Sequence, residues 1–390
     1  MVNEPLALFP ELIPEPAETN STGLLPSQKL EESIALGYIH APGGVGPDQI
    51  QPSSIDLRLG EVAWRVRASF LPSRDCTVPN KLKDLLLEKI DLSAGAVLKK
   101  GDIYIAPLLE EVALPANLWG KANPKSTTGR LDVFTRLLTD YADEFEYIAN
   151  GYKGRLYAEI VPRTFSIVAR PGTRLNQLRI VKGNPPPSDA KLIALHEKEV
   201  LVYSQDELPG EPFIFEGLWL SLDLSGTHGS DIVGYRARKG APPIDLAKIN
   251  HYEIGEYWHS ITRPASGNVI LDPEEFYILV SKERVRIPPQ YAAEMVPLDP
   301  SVGEFRIHYA GFFDPGFGYG SDDLKGTHAV LEVRSHEVPF LVEDGQRVGR
   351  LVYEQMLAPP AKLYGRDIGS SYQSQGLALS KHFKRPANTK

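Results

Sequence analysis

Apolar and polar positions alternate in short runs along most of the chain. Residues 54–59, 62–66, 103–106, 155–161, 165–168 and 178–181 are short β-rich runs, punctuated by Pro and Gly, which suit strands. Helical spacing is scarce. The clearest case is 27–36, where Leu30 and Ile34 share a face, Ser27 is placed to cap the start and Gly37 to end the helix. Glycine and proline, 33 of each, punctuate the runs. Many short strands with frequent turns predict a mainly β chain, folded as a barrel or jelly roll rather than as βαβ units.

The pattern occurs twice. Segment 97–105 matches 270–278, Val112-Ala-Leu-Pro115 matches Val285-Arg-Ile-Pro288, Leu156-Tyr-Ala-Glu159 matches Val330-Leu-Glu332 at its end, and Gly172-Thr-Arg174 matches Gly345-Gln-Arg347. The offsets 270 − 97, 285 − 112, 332 − 159 and 345 − 172 are all 173. An earlier pair, Ile55-Asp56-Leu57 with Leu222-Asp223-Leu224, fits at 167, as a change of loop length would give. Shared strand patterning explains alternating apolar positions, but not the pairs Pro115/Pro288, Glu159/Glu332 and Gly172/Gly345. A tandem duplication follows, with its junction around 184–206, where Pro185, Pro186 and Pro187 suit a linker. The expected organisation is a loosely ordered leader at 1–25, a first β domain at 26–190, a second at 191–378 and a basic tail at 379–390.

Charge and composition narrow the function. Lys and Arg number 42 against 50 Asp and Glu, a net −8. That speaks against a general nucleic-acid or membrane-surface binder but leaves room for one small basic pocket. Cys76 is the single cysteine, so a zinc site that needs two cysteines is excluded. No disulfide can form within the chain either, which suits a cytoplasmic protein. The segment 1–16 is acidic and proline-rich rather than basic and then apolar, so no signal peptide is expected. No apolar run approaches the ~20 residues that span a bilayer.

Four segments could carry chemistry. Lys125-Ser126-Thr127-Thr128-Gly129-Arg130 gathers cations, hydroxyls and a turn glycine, the donors a polyphosphate needs. By composition alone it reads equally as a solvated turn. Glu159 and Glu332 each end an apolar strand, where a carboxyl can be raised into general-base range. An outward-facing strand glutamate is the plainer alternative. His308-Tyr-Ala310-Gly-Phe-Phe-Asp314-Pro-Gly-Phe317 sets aromatics around a turn and could wall a flat ligand, or simply cap a core. Segment 364–376, with Tyr364, Tyr372 and Gln375, has the composition of a lid or of a loose tail. His251, Glu253 and His259 lack metal-site spacing.

In this order the segments resemble the dCTP deaminase/dUTPase superfamily, on its deaminase branch. Pro52-Ser-Ser-Ile-Asp-Leu-Arg-Leu-Gly60 looks like the family's early strand motif and Ser126-Thr-Thr-Gly-Arg130-Leu like its phosphate arm. Phe313-Asp314-Pro-Gly316-Phe looks like its nucleoside-pocket turn, Val330-Leu-Glu332-Val like the strand of its catalytic glutamate, and Tyr364 with Gln375 like its closing segment. The resemblance implies two tandem dUTPase-like, distorted β-barrel (jelly-roll-like) domains with a few short helices. It implies zinc-independent deamination of dCTP to dUTP and ammonia, with Mg²⁺ riding on the triphosphate, and supply of dUTP for thymidylate synthesis. Nucleotide contacts would come from Lys125, Ser126, Thr127, Arg130, His308, Ala310, Asp314, Tyr364 and Gln375. Glu332 would be the base, with Glu159 as the alternative. Further implications are dTTP as a candidate inhibitor and a homo-oligomer with trimer-like or pseudo-trimeric packing.

The two copies depart from the family in complementary ways. The second has Leu298-Asp-Pro-Ser-Val-Gly303 in place of the arm and lacks its arginine; the first has Tyr147-Ile-Ala-Asn-Gly151 in place of the pocket turn and lacks its aspartate. Phe312 and Tyr147 stand where the family has an arginine before the Asp-Pro-Gly. A composite site is therefore expected, with the arm from domain 1 and the pocket, base and lid from domain 2. It could form within one chain or between chains. A dUTP diphosphatase, a bifunctional deaminase/diphosphatase and a non-catalytic nucleotide-binding regulator are the competing functions.

Overall fold

The computed structural model describes residues 20–226, 230–296, 305–307, 311–319, 324–335, 337–365 and 376–385. Antiparallel strands dominate them, joined by short helices such as Ser27–Ala35 and Asp189–Lys198. Ser27 is the first residue of its helix rather than its cap. Pro26 holds the cap position, and the Ser27 amide is taken by the Pro52 carbonyl. Gly37 ends the helix at φ 75°, a conformation that costs a β-carbon-bearing residue more.

The duplication is visible strand by strand. Ile103–Ala113 recurs as Phe276–Val285, Leu118–Pro124 as Tyr291–Val296 and Arg174–Lys182 as Arg347–Gln355; 276 − 103, 291 − 118 and 347 − 174 all give 173. Glu159 lies opposite Ile105, and Glu332 opposite Ile278, at that same spacing. The earlier strand differs from expectation. Leu57 pairs with Asn176 and Leu220 with Gly349, while Leu59 bridges Leu108 and Leu222 bridges Ser281. The offset there is 222 − 59, or 163, not 167, so Leu222 corresponds to Leu59 rather than to Ile55. A slip of four residues keeps in–out alternation intact, which is why the pattern alone could not detect it.

The halves do not sit apart as beads on a linker. Trp258, Phe276 and Ile278 of the second half pack into the apolar core of the first, with Phe165 edge-on to Trp258 at 5.4 Å. Strand Ile244–Asp245 joins Ile167–Ala169 in parallel, and Arg170 holds Asp245 through two hydrogen bonds of 2.5 and 3.0 Å. Arg334 pairs with buried Asp132 across the same boundary.

The described parts of the leader and of the tail, 20–25 and 379–385, pack against the domains. From residue 20 on, the leader is structured: Gly23–Leu24 pairs with Lys182 and Val181, and Leu24 also bridges Met356 of the other half. The burial of Leu24 and Leu25 explains it. The tail is not simply a basic end either. Ser380, His382 and Phe383 are buried, and Phe383 stacks edge-on against Tyr257 at 5.4 Å and Trp258 at 5.9 Å. The junction is shorter than expected, because helix Asp189–Lys198 already belongs to the second copy, as the counterpart of Ser27–Ala35.

Candidate active site

The arm is a single helical turn, Ser126–Gly129, entered from Lys125. So short a turn does not hold itself. Thr128 Oγ1 donates to the Leu175 carbonyl at 3.0 Å, and Ser380 Oγ donates to the Thr127 carbonyl at 3.0 Å. Arg130 follows, buried, with Nη1 donating to the Ala378 carbonyl at 3.1 Å. Lys125 pairs with Asp56 of the early strand motif.

Across a cleft from this turn stands the second half. Lys125, Ser126, Thr127 and Arg130 line one wall; Phe312, Asp314, Glu332 and Tyr364 line the other. One chain thus brings together the arm of one copy and the turn and base strand of the other. Glu332 comes from strand Thr327–Ser335, all of whose residues are buried. Its Oε1 lies 3.9 Å from Arg130 Nε. Burial pushes its carboxyl up to about 7, against the pull of Arg130.

The nucleoside turn is tightly built. Phe313 and Phe317 meet edge-on at 5.0 Å, and Tyr364 lies against Phe317 at 5.7 Å. Gly316 has φ 93°, and a β-carbon there would come 3.1 Å from the Tyr364 amide, so the turn requires glycine. Asp314 is raised by burial, opposed by Arg179 and by Ser53, whose Oγ donates to Asp314 Oδ1 at 2.5 Å. Gln51 and Gln177 also line the cleft. Neither they nor Ser53 and Arg179 were found from the sequence. Ser53 lay inside the early strand motif, so a signal existed for it; the others carry none. His308, Ala310 and Gln375 lie outside the described residues.

Glu159 occupies the matching strand position but lines no part of the cleft. Its side chain is closed in by Arg136, whose Nη2 and Nε donate to Oε1 at 2.6 and 3.1 Å. The Arg136 guanidinium in turn stacks 3.5 Å from the Phe145 ring centroid. By register, Tyr147 faces Lys121 as Phe312 faces Glu294, so Ala149 stands at the place of Asp314. The first copy's pocket is thus filled by an ion pair under an aromatic ring, and it lacks the carboxylate of the turn. Among the described residues no group of three or more His, Cys, Asp or Glu could hold a metal ion.

Models of the 2'-deoxycytidine 5'-triphosphate deaminase (DCD) N-terminal and C-terminal domains match residues 21–184 and 188–383. The chain belongs to the dCTP deaminase family. The three residues between the two matches are Pro185, Pro186 and Pro187. A solved 2'-deoxycytidine 5'-triphosphate deaminase from Agrobacterium tumefaciens is 48% identical, with a TM-score of 0.82 over 87% of this chain and 100% of that one. A protein named dCTP deaminase, dUMP-forming, from Corynebacterium glutamicum is 30% identical over 42% of this chain and 82% of its own length. A dCTP deaminase from Halorubrum lacusprofundi is 31% identical over 32% of this chain. That match spans 58% of the Halorubrum protein, and a match to a Halobacterium salinarum relative spans 60%. The dCTP deaminase family thus accounts for both halves of the chain and for the dUTPase-like β fold.

Proposed function

We propose that the cleft hydrolyses dCTP to dUTP and ammonia without zinc. The observation that carries this reading is Glu332, a buried carboxyl raised to about 7 and set opposite a cationic, hydroxyl-rich turn. A carboxyl in that range takes and returns a proton near neutral pH. Ionised Glu332 accepts a proton from a water whose oxygen bonds to C4 of cytosine. The proton passes to ring N3, and a second reaches the departing amine as the C4–N4 bond breaks. Water and dCTP thus become dUTP and ammonia, with no other reactant.

Phe313, Phe317 and Tyr364 form the apolar side against which a flat base can lie, and Asp314 offers an acceptor to the nucleoside. Lys125, Ser126, Thr127 and Arg130 supply donors for the triphosphate, which arrives as its Mg²⁺ complex. In this reading the product feeds thymidylate synthesis in the cytoplasm, dTTP competes for the same pocket, and copies of the chain assemble into a homo-oligomer. The dUMP-forming name of the Corynebacterium relative supports a second reading, in which dUTP is also cleaved. Incubating the protein with dCTP and Mg²⁺ tests both. Ammonia and dUTP in equal amounts support the first; dUMP and pyrophosphate support the second; no product at all would overturn deamination.

A further inference from the structure

Arg179 is fully buried, yet it serves the other half of the chain. It rises from strand Arg174–Lys182 of domain 1 into domain 2. Nη1 donates to the Ala293 carbonyl at 3.0 Å and to Glu354 Oε2 at 2.9 Å. Nη2 donates to the carbonyl of Phe313 at 3.0 Å, one residue before Asp314, and lies 3.8 Å from Asp314 Oδ1. The guanidinium lies 3.9 Å from the Phe312 ring centroid. Ser53, also of domain 1, holds the same Asp314 oxygen.

A buried guanidinium is costly, and an apolar side chain would fill an interface as well. What an apolar side chain cannot do is fix a carbonyl and a carboxylate at once with one planar fork. The duplication supports this distinction. The counterpart of Arg179 is Val352, at the 173-residue spacing, and the counterpart of Asp314 is Ala149. The carboxylate that lines the open cleft therefore occurs together with the buried cation that faces it, and both are missing from the corresponding positions of the other copy.

We propose that Arg179 is a positioning residue for the nucleotide site: from domain 1 it sets the Phe313 carbonyl and the Asp314 carboxylate of domain 2 in the orientation that receives the nucleoside. It does not touch the reacting atoms. The proposal rests on the dCTP reading above.

The test is kinetic and spectroscopic, on the full chain. In R179M, and in R179M/E354L, where the buried guanidinium and its half-buried carboxylate partner are both replaced by apolar groups to protect folding, KM for dCTP rises about tenfold or more. In the same variants kcat stays within about threefold. R179K, which keeps the charge but not the fork, falls between. Carboxyl ¹³C titration of Asp314 gives a readout without turnover: its midpoint moves up in R179M/E354L, because a facing cation is gone. An unchanged KM in a folded variant, or an unmoved Asp314 titration, overturns the role of Arg179. A wild-type protein that shows no dCTP deamination, while the titration still shifts, overturns the functional reading instead.

Discussion

Glu332 and Glu159 occupy equivalent strand positions and differ in what surrounds them. Glu332 faces an open cleft with Arg130 at 3.9 Å; Glu159 is bonded to Arg136 beneath Phe145. Replacing Glu332 by Gln should lower dCTP deamination by roughly 10²- to 10⁴-fold, the range of a lost general base. Glu159→Gln should change kcat less than about tenfold while lowering the melting temperature, since Arg136 loses its partner. A silent Glu332→Gln beside a dead Glu159→Gln would reverse the assignment. Glu332 also sets a pH dependence of stability. Its folded carboxyl keeps a proton up to about 7, while the unfolded chain releases it near 4.5. Between those values the folded state binds more protons, so stability present at low pH is lost as pH rises. Glu332→Gln should therefore melt higher than wild type at pH 8, by an amount worth up to about 3 kcal/mol. The gain should vanish toward pH 4.5 in thermal scans. A difference independent of pH would contradict the buried, neutral carboxyl. The two candidate glutamates were legible from the repeat. The seal over the other was not, because Arg136 and Phe145 reach it only through strand pairing and packing.

At the scale of elements, the arm depends on the C-terminal segment. Ala378 and Ser380 hold Arg130 and Thr127 by backbone and hydroxyl bonds, and Phe383 fastens the segment in the aromatic core. Phe383→Ala should cost about 3–5 kcal/mol, as for a large core truncation. It should also lower kcat/KM for dCTP, because the arm loses its anchor. Melting curves and steady-state rates check the two effects separately, and a stable variant with unchanged rates would show that the arm stands alone. In sequence this segment read as basic charge around one phenylalanine. A single aromatic residue has no periodicity, so nothing there announced a core position. The early strand shows the opposite limit: its alternation was read correctly, and its partner was placed four residues off, because even slips preserve which face is apolar.

At the scale of the molecule, the two domains share a core and line one cleft. The Arg334–Asp132 pair and the Lys121 contacts to Glu294 and Glu354 cross between them. Asp132→Asn should destabilise the chain by about 3 kcal/mol, since it removes the buried counter-charge of Arg334 and leaves only the exposed carboxylate of Glu274 at 3.5 Å. Urea unfolding should show that loss as a lower midpoint with an unchanged slope; an unaltered midpoint would make the pair dispensable. The strand class, the duplication at 173 residues, the two glutamates and the complementary gaps in the two copies were all written in the sequence. They depend on local alternation, on turn chemistry and on the recurrence of residues at a fixed spacing. The tertiary structure alone decided that arm and pocket meet within one chain, that Glu159 is sealed by Arg136, and that Ser53 and Arg179 reach across to Asp314. The reason is physical. Those contacts join residues from 23 positions apart, for Arg136 and Glu159, to 261 apart, for Ser53 and Asp314, through side chains whose partners are chosen by packing and not by spacing.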